Sequence, residues 1–248
     1  MSEQLSSSAI AVLLVAVTAL PVAASLAVLE RRKGLRLQDT AGLRVVVQET
    51  GRLFGTSRGQ LALAVCVLPF GSSAAALMVG GLGPDFHAPA SFVGAWAGTA
   101  KSLAFAAGAL LGAKLWERIG TLPGLLVVGG GMIALALLVL AGPKTPAGYA
   151  VLVTGFGFLQ GASLSAVMGI VLQTVEPRAA STQSAVLIAA SNLHNVYLPP
   201  MAGWAHDAGG IEALLLVDAA IGACGLLLLM LGARLLGQPL WRSDRPRG

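Results

Sequence analysis

Apolar runs of roughly twenty residues, separated by short polar breaks, follow one another along the chain. A run of that length is what an α-helix needs to cross the hydrocarbon core of a bilayer, about 30 Å thick. The pattern predicts seven such helices, at Ala9–Leu29, Gln60–Gly81, Ser91–Leu115, Leu122–Ala141, Gly148–Val175, Ser181–Trp204 and Ile211–Leu236. Ala, Leu and Gly dominate these runs and strand-like alternation is weak, which argues against a membrane β-barrel. The predicted class is an all-α polytopic membrane protein.

Composition strengthens this reading. The chain is 56% hydrophobic and 11% charged, whereas soluble domains carry about 25% charged residues. A water-facing surface cannot be covered at that level. The layout divides into a first transmembrane helix (1–29), a basic loop (30–58), a six-helix bundle (59–236) and a basic tail (237–248). Cys66 and Cys224 both fall inside apolar runs and read as small hydrophobes rather than a disulfide or metal pair.

The cations set the orientation. Arg31, Arg32, Lys33, Arg36, Arg44, Arg52 and Arg58 follow span one, Lys114 and Arg118 follow span three, and Arg178 follows span five. With Arg234, Arg242, Arg245 and Arg247 after span seven, fourteen of the sixteen Lys and Arg gather on one side. The opposite side has Lys144, and Lys101 lies inside span three. The positive-inside rule makes the first side cytoplasmic, with the N-terminus outside and the C-terminus inside the cytoplasmic (inner) membrane. "ALPVAAS" at Ala19–Ser25 imitates a signal-peptide cleavage site, but the basic residues follow the run instead of preceding it, so span one is expected to be retained. The net charge of +5 is thus a matter of topology, and nucleic acid is not an expected partner. Within the long loop, "LRVVVQETGRLF" has an apolar face suited to a helix lying on the membrane surface.

A few polar positions break the apolar background. In span five, Gly157, Gly161, Ser165 and Gly169 make a stripe of small residues that admits a neighbouring helix closely; "GFGFLQG" in the same span brings Gln160 into the membrane as a cavity candidate. Lys101 reads either as a snorkelling side chain at a shifted boundary or as a cavity residue seeking a carboxylate. Asp218 is the one carboxylate well inside a predicted span and therefore the expected ion-pair partner of Lys101. Span six is the most polar helix: Gln183, Ser184, Ser191, Asn192, His194 and Asn195 fall within one arc of about 180°. Pro199 and Pro200 then predict a helix break that frees the carbonyls of Asn195 and Val196. That arc either lines a wet cavity, making Asn192, His194, Asn195 and Gln183 substrate candidates, or glues helices together. His194 also has the chemistry for a proton-coupled cycle. No Ser–His–Asp set or paired carboxylates at catalytic spacing occurs, so no enzyme, metal or cofactor is expected.

The layout, one helix, a long basic loop and six helices ending inside, resembles the last seven helices of a major facilitator superfamily transporter. The resemblance covers nearly the whole chain. Such transporters carry a Gly-x-Leu-x-Asp-Arg-x-Gly motif between the second and third helices of each half. "AKLWERIG" (Ala113–Gly120) matches it at Leu115, Arg118 and Gly120, with Glu117 replacing Asp and Ala113 replacing Gly. The resemblance implies a conformational-latch role for the loop bearing Glu117 and Arg118. "GWAHDAGG…LLLVDAAIG" from Gly203 is similar to the end of the eleventh and start of the twelfth helix, loosely in the manner of muropeptide permeases and acetyl-CoA carriers. The first five helices have no counterpart, so the resemblance implies a truncated or partial transporter. Its expected partners are the lipid bilayer, a small organic solute, and a missing N-terminal half or second chain. A retinal-type receptor would want a lysine in the last helix, which span seven lacks. A non-transporting membrane scaffold or assembly subunit is the alternative.

Overall fold

The computed structural model describes Gln48, residues 51–69 and residues 74–237. The expected span Ala9–Leu29, most of the 30–58 loop and nearly all of the tail lie outside the described residues. Within them every regular element is helical and no strand occurs. The helices all belong to one unit, Glu49–Gly248. Among the described residues three stretches are long and apolar enough to cross a membrane: Thr121–Ala141, Pro146–Thr174 and Ala180–Leu235.

The expected span Gln60–Gly81 is corrected to a broken one. Helix α1 (Ser57–Val67) starts where the Thr56 hydroxyl accepts the Gly59 N–H at 3.0 Å. It stops at Leu68, which is extended (φ −74°, ψ 137°). Pro69 is the cause, because its ring disfavours helical geometry in the residue before it. The chain resumes as the four-residue α2 (Ala74–Leu77) and two single 3-10 turns, Val79–Gly81 and Pro84–Phe86.

The next segment is helical throughout but not uniform. α3 (Ala90–Gly94) passes into a π turn, Ala95–Ala100, and then into α4 (Lys101–Ile119). The wide turn delivers the chain to Lys101. α4 runs four residues past the predicted end at Leu115 and joins α5 (Thr121–Ala141) through Gly120 alone. Gly120 takes φ 92°, ψ 155°, a region open to glycine and hardly to anything else. α6 (Pro146–Thr174) opens with Pro146 just inside the start and the Thr145 hydroxyl accepting the Gly148 N–H, the pairing of proline and hydroxyl that suits a helix N-terminus.

α7 (Ala180–Ser191) and α8 (His194–Leu235) complete the bundle. α8 is two helices across a kink at Gly209 and Gly210. Contacts to one other stretch show that the chain turns back there. The Tyr197 hydroxyl reaches the Val67 carbonyl, His206 reaches Asp85, and Asp218 then reaches Ala74. The contacts of Tyr197 and His206 thus advance in the same sense as Val67 and Asp85, and that of Asp218 comes back to Ala74. The returning half lies antiparallel to α5: Gly129 packs on Leu226 and Gly222 on Ile133.

The tightest packing is between α4 and α6. Gly157 abuts Lys101, Gly161 abuts Phe105, Gly108 abuts Phe158 and Gly112 abuts Ala162. A side chain on Gly108 or Gly161 would run into the facing carbonyl oxygen. Near the crossing, Trp116 Nε1 donates to the Ala162 carbonyl and to Ser165 Oγ, each at 3.0 Å. The small-residue stripe of α6 therefore has α4 as its partner, with backbones close enough for dispersion to hold them without any hydrophobic gain. Leu110, Leu172 and Leu235 are all more than 70% exposed. An exterior of that kind is stable against lipid and costly against water.

Candidate functional site

The break between α1 and α2 creates a chemical problem. Backbone N–H and C=O groups at membrane depth cost several kcal/mol each when unsatisfied. Four side chains from three other segments meet groups at or near the break. Tyr197 Oη donates to the Val67 carbonyl at 3.0 Å. Asp218 Oδ1 accepts the Ala74 N–H. Lys101 Nζ donates to the Ala76 carbonyl at 2.8 Å, and Tyr149 Oη donates to the Val79 carbonyl at 2.9 Å. Tyr149 is held by edge contact with Phe86 and a tilted contact with Phe92. The sequence expected Lys101 and Asp218 to form a direct ion pair. The structure instead brings both to one short helix, and the ammonium of Lys101 is held by a carbonyl rather than by the carboxylate.

Beside this lies a cavity of about 230 Å³. Its polar lining comes from Gln160 and Ser163 on α6 and from Ser191, Asn192, His194 and Asn195 at the α7–α8 junction. Its apolar lining is Val65, Cys66, Leu68, Phe105, Leu164 and Val167. Four of the sequence candidates, Gln160, Asn192, His194 and Asn195, are thus brought together. The arc expected of one helix is formed differently. α7 ends at Ser191, and the turn through Asn192 and Leu193 is closed by tight bonds from Asn192 N–H to the Ala189 carbonyl and from Leu193 N–H to that of Ala190. Asn192 Nδ2 donates to the Ile188 carbonyl at 3.0 Å, and Asn195 Nδ2 donates to Asn192 Oδ1 at 3.3 Å.

The break is not where the prolines stand. Pro199 and Pro200 lie inside α8, and the interruption falls at Asn192–Leu193, ahead of them. Proline removes the bonds to the carbonyls of Asn195 and Val196. The adjustment is taken up one to two turns earlier, where Asn195 and Val196 N–H groups bond three residues back, to Asn192 and Leu193.

Other candidates fall elsewhere. Gln183 is fully buried outside the cavity, where its Oε1 accepts the Glu176 N–H at 2.7 Å and anchors the α6–α7 connection. Lys101 does not line the cavity; it sits one turn before Phe105 on α4. Glu117 and Arg118 are exposed in the last turn of α4 and not in a loop, since Gly120 alone separates the helices. Among the described residues no three of His, Cys, Asp and Glu gather where they could hold a metal.

Tyr149, Tyr197 and Ser163 were not singled out from the sequence. The tyrosines carry a signal in retrospect: they are the two tyrosines of the chain, each inside an apolar run, and a buried tyrosine hydroxyl finds a partner. Pro69 and Gly71 in "VLPFGSS" likewise mark the break that the averaged hydropathy of the run conceals.

No curated protein matches the chain. A protein-family model, that of the Major Facilitator Superfamily, matches residues 61–247. That match spans most of the sequence and all the helices from α2 to α8, and the exposed apolar helices agree with a multi-pass membrane protein. The chain belongs to the Major Facilitator Superfamily.

Proposed function

We propose that this transporter-family chain moves a small organic solute across the cytoplasmic membrane by alternating access, with the Gln160–Asn195 cavity as part of its path. The observation that carries the reading is a polar cavity inside a bundle whose outer surface is leucine-rich. Polar side chains in lipid-embedded helices are costly unless they serve a cavity or a neighbour. In this reading the chain has seven spans, with the N-terminus outside and the C-terminus in the cytoplasm. Alternating access rocks two helix bundles about a midplane site. The described bundle supplies one wall, and further chain or a second polypeptide supplies the other. Glu117 and Arg118 then act at the cytoplasmic end of α4 as the latch of the cycle. The likeness to muropeptide permeases and acetyl-CoA carriers rests on the Gly203–Gly222 region and points to an organic solute rather than an inorganic ion.

The test is uptake of a panel of labelled small solutes by cells expressing the protein, compared with Asn195→Leu. Transport above the background of empty cells, lost in the variant at unchanged membrane level, is the expected result. Uptake by Asn195→Leu at the unsubstituted rate would reduce the α7–α8 junction to interhelical glue.

A further inference from the structure

The cavity lining has a property that the family assignment does not specify. Among the described residues that line it there is no Asp, Glu, Lys or Arg. The nearest cation along α4, Lys101, is turned to the Ala76 carbonyl. Three of the polar groups are nonetheless unspent. Ser163 is 3% exposed, and no hydrogen bond reaches its hydroxyl, the Gln160 amide or the His194 imidazole among the described residues. Gln160 and Ser163 are three residues apart and share one face of α6. A buried hydroxyl with no partner is uncommon and calls for an explanation, and a ligand is the explanation that fits a side chain opening on a cavity.

From this we infer that the cavity takes an uncharged solute with a hydrogen-bonding edge, an amide, lactam or hydroxyl, on an apolar body; the inference rests on the transport reading of the same site. Gln160 offers both a donor and an acceptor, Ser163 offers both, and a neutral imidazole offers one of each. That set has the donors and acceptors that an amide or hydroxyl edge requires. Around it, Phe105, Leu164, Val167, Val65 and Leu68 supply the apolar lining. A charged solute would surrender its hydration to a lining that, among the described residues, offers no counter-charge. A neutral one exchanges its water hydrogen bonds for those of Gln160 and Ser163. The volume, below the roughly 300–1,000 Å³ typical of drug-sized pockets, suits a single small ring.

Three probes with one ring and three charges decide the matter: benzamide, benzoate and benzylammonium at neutral pH. The readout is the shift in apparent melting temperature of the purified full chain in detergent, as a function of probe concentration. Benzamide is expected to raise it, with benzoate and benzylammonium inactive at equal concentration. Ser163→Ala with Gln160→Met, a volume-conserving pair, is expected to weaken the benzamide response about tenfold or more, as loss of two hydrogen bonds predicts. A shift by benzoate or benzylammonium that the same substitutions abolish overturns the inference and leaves the cavity as the solute site. A benzamide shift untouched by the substitutions removes the cavity from the solute path. No shift by any probe overturns the inference, while the uptake assay judges the transport reading separately.

Discussion

Lys101 and Asp218 grip the same four-residue helix from its two ends: Asp218 accepts the N–H of Ala74 and Lys101 donates to the carbonyl of Ala76. The signs are those that peptide dipoles favour, a carboxylate at the N-terminal N–H and a cation at a later carbonyl. The charges come from opposite sides in sequence, and each is used to satisfy backbone that the break at Pro69 leaves open. Truncating the acceptor should therefore cost more than neutralising it. Asp218→Ala strands the Ala74 N–H and is expected to destabilise by about 1–3 kcal/mol. Asp218→Asn retains an oxygen acceptor and should lose less. Thermal unfolding in detergent ranks the two; equal losses would mean that the bond to Ala74 does not matter.

Gln183 and Asn195 were equal candidates in the sequence and are expected to behave differently. Gln183→Leu removes a buried acceptor from the Glu176 N–H. It should lower stability by about 1–3 kcal/mol. Asn195→Leu changes an exposed cavity residue and should leave the melting temperature nearly unchanged while abolishing uptake. Measuring both properties on both variants checks the distinction.

The α4–α6 crossing predicts a steep size dependence. Gly161→Leu drives a side chain into the Phe105 backbone, and overpacking of this kind costs about 1–3 kcal/mol or more. Gly130→Leu, where a Cβ meets nothing within 4 Å, serves as the matched control. Size-exclusion profiles should show loss of the monodisperse species for Gly161→Leu alone.

At the turn between the two halves of α8, Gly210 has φ 66° and ψ −158°, a region essentially reserved for glycine. Gly210→Ala is expected to cost about 1–3 kcal/mol through backbone strain. Gly203→Ala, in helical backbone with open space around it, should be neutral or mildly stabilising. Melting temperatures that fail to separate the two would refute the strain argument.

Much of the architecture was legible because hydropathy and helix length are local. The boundaries of α5 and α6 fall within one or two residues of Leu122–Ala141 and Gly148–Val175. The turn between the last two helices was expected between Trp204 and Ile211 and is made at Gly209 and Gly210. The errors share a cause. Gln60–Gly81 reads as one rod because its average hydropathy hides Pro69. Lys101 and Asp218 read as partners because sequence shows charges and not the backbone groups that compete for them. Periodicity places Gln183 on the arc of Asn192 and His194 and leaves cavity and interhelical roles open; α7 ends at Ser191, the arc is divided between two helices, and Gln183 holds the Glu176 N–H.

Sequence by itself determined that this chain is a helical membrane protein and which residues carry its rare polar groups. Every residue adds its own transfer free energy, and twenty such terms in a row are decisive without reference to neighbours. Only the tertiary structure decided which polar groups are spent on backbone and which line the cavity. Lys101, Asp218, Tyr149, Tyr197 and Gln183 are consumed by backbone, whereas Gln160, Ser163 and His194 open on a cavity. A hydrogen bond depends on distances of a fraction of an ångström between segments up to 144 residues apart, and no local pattern encodes that.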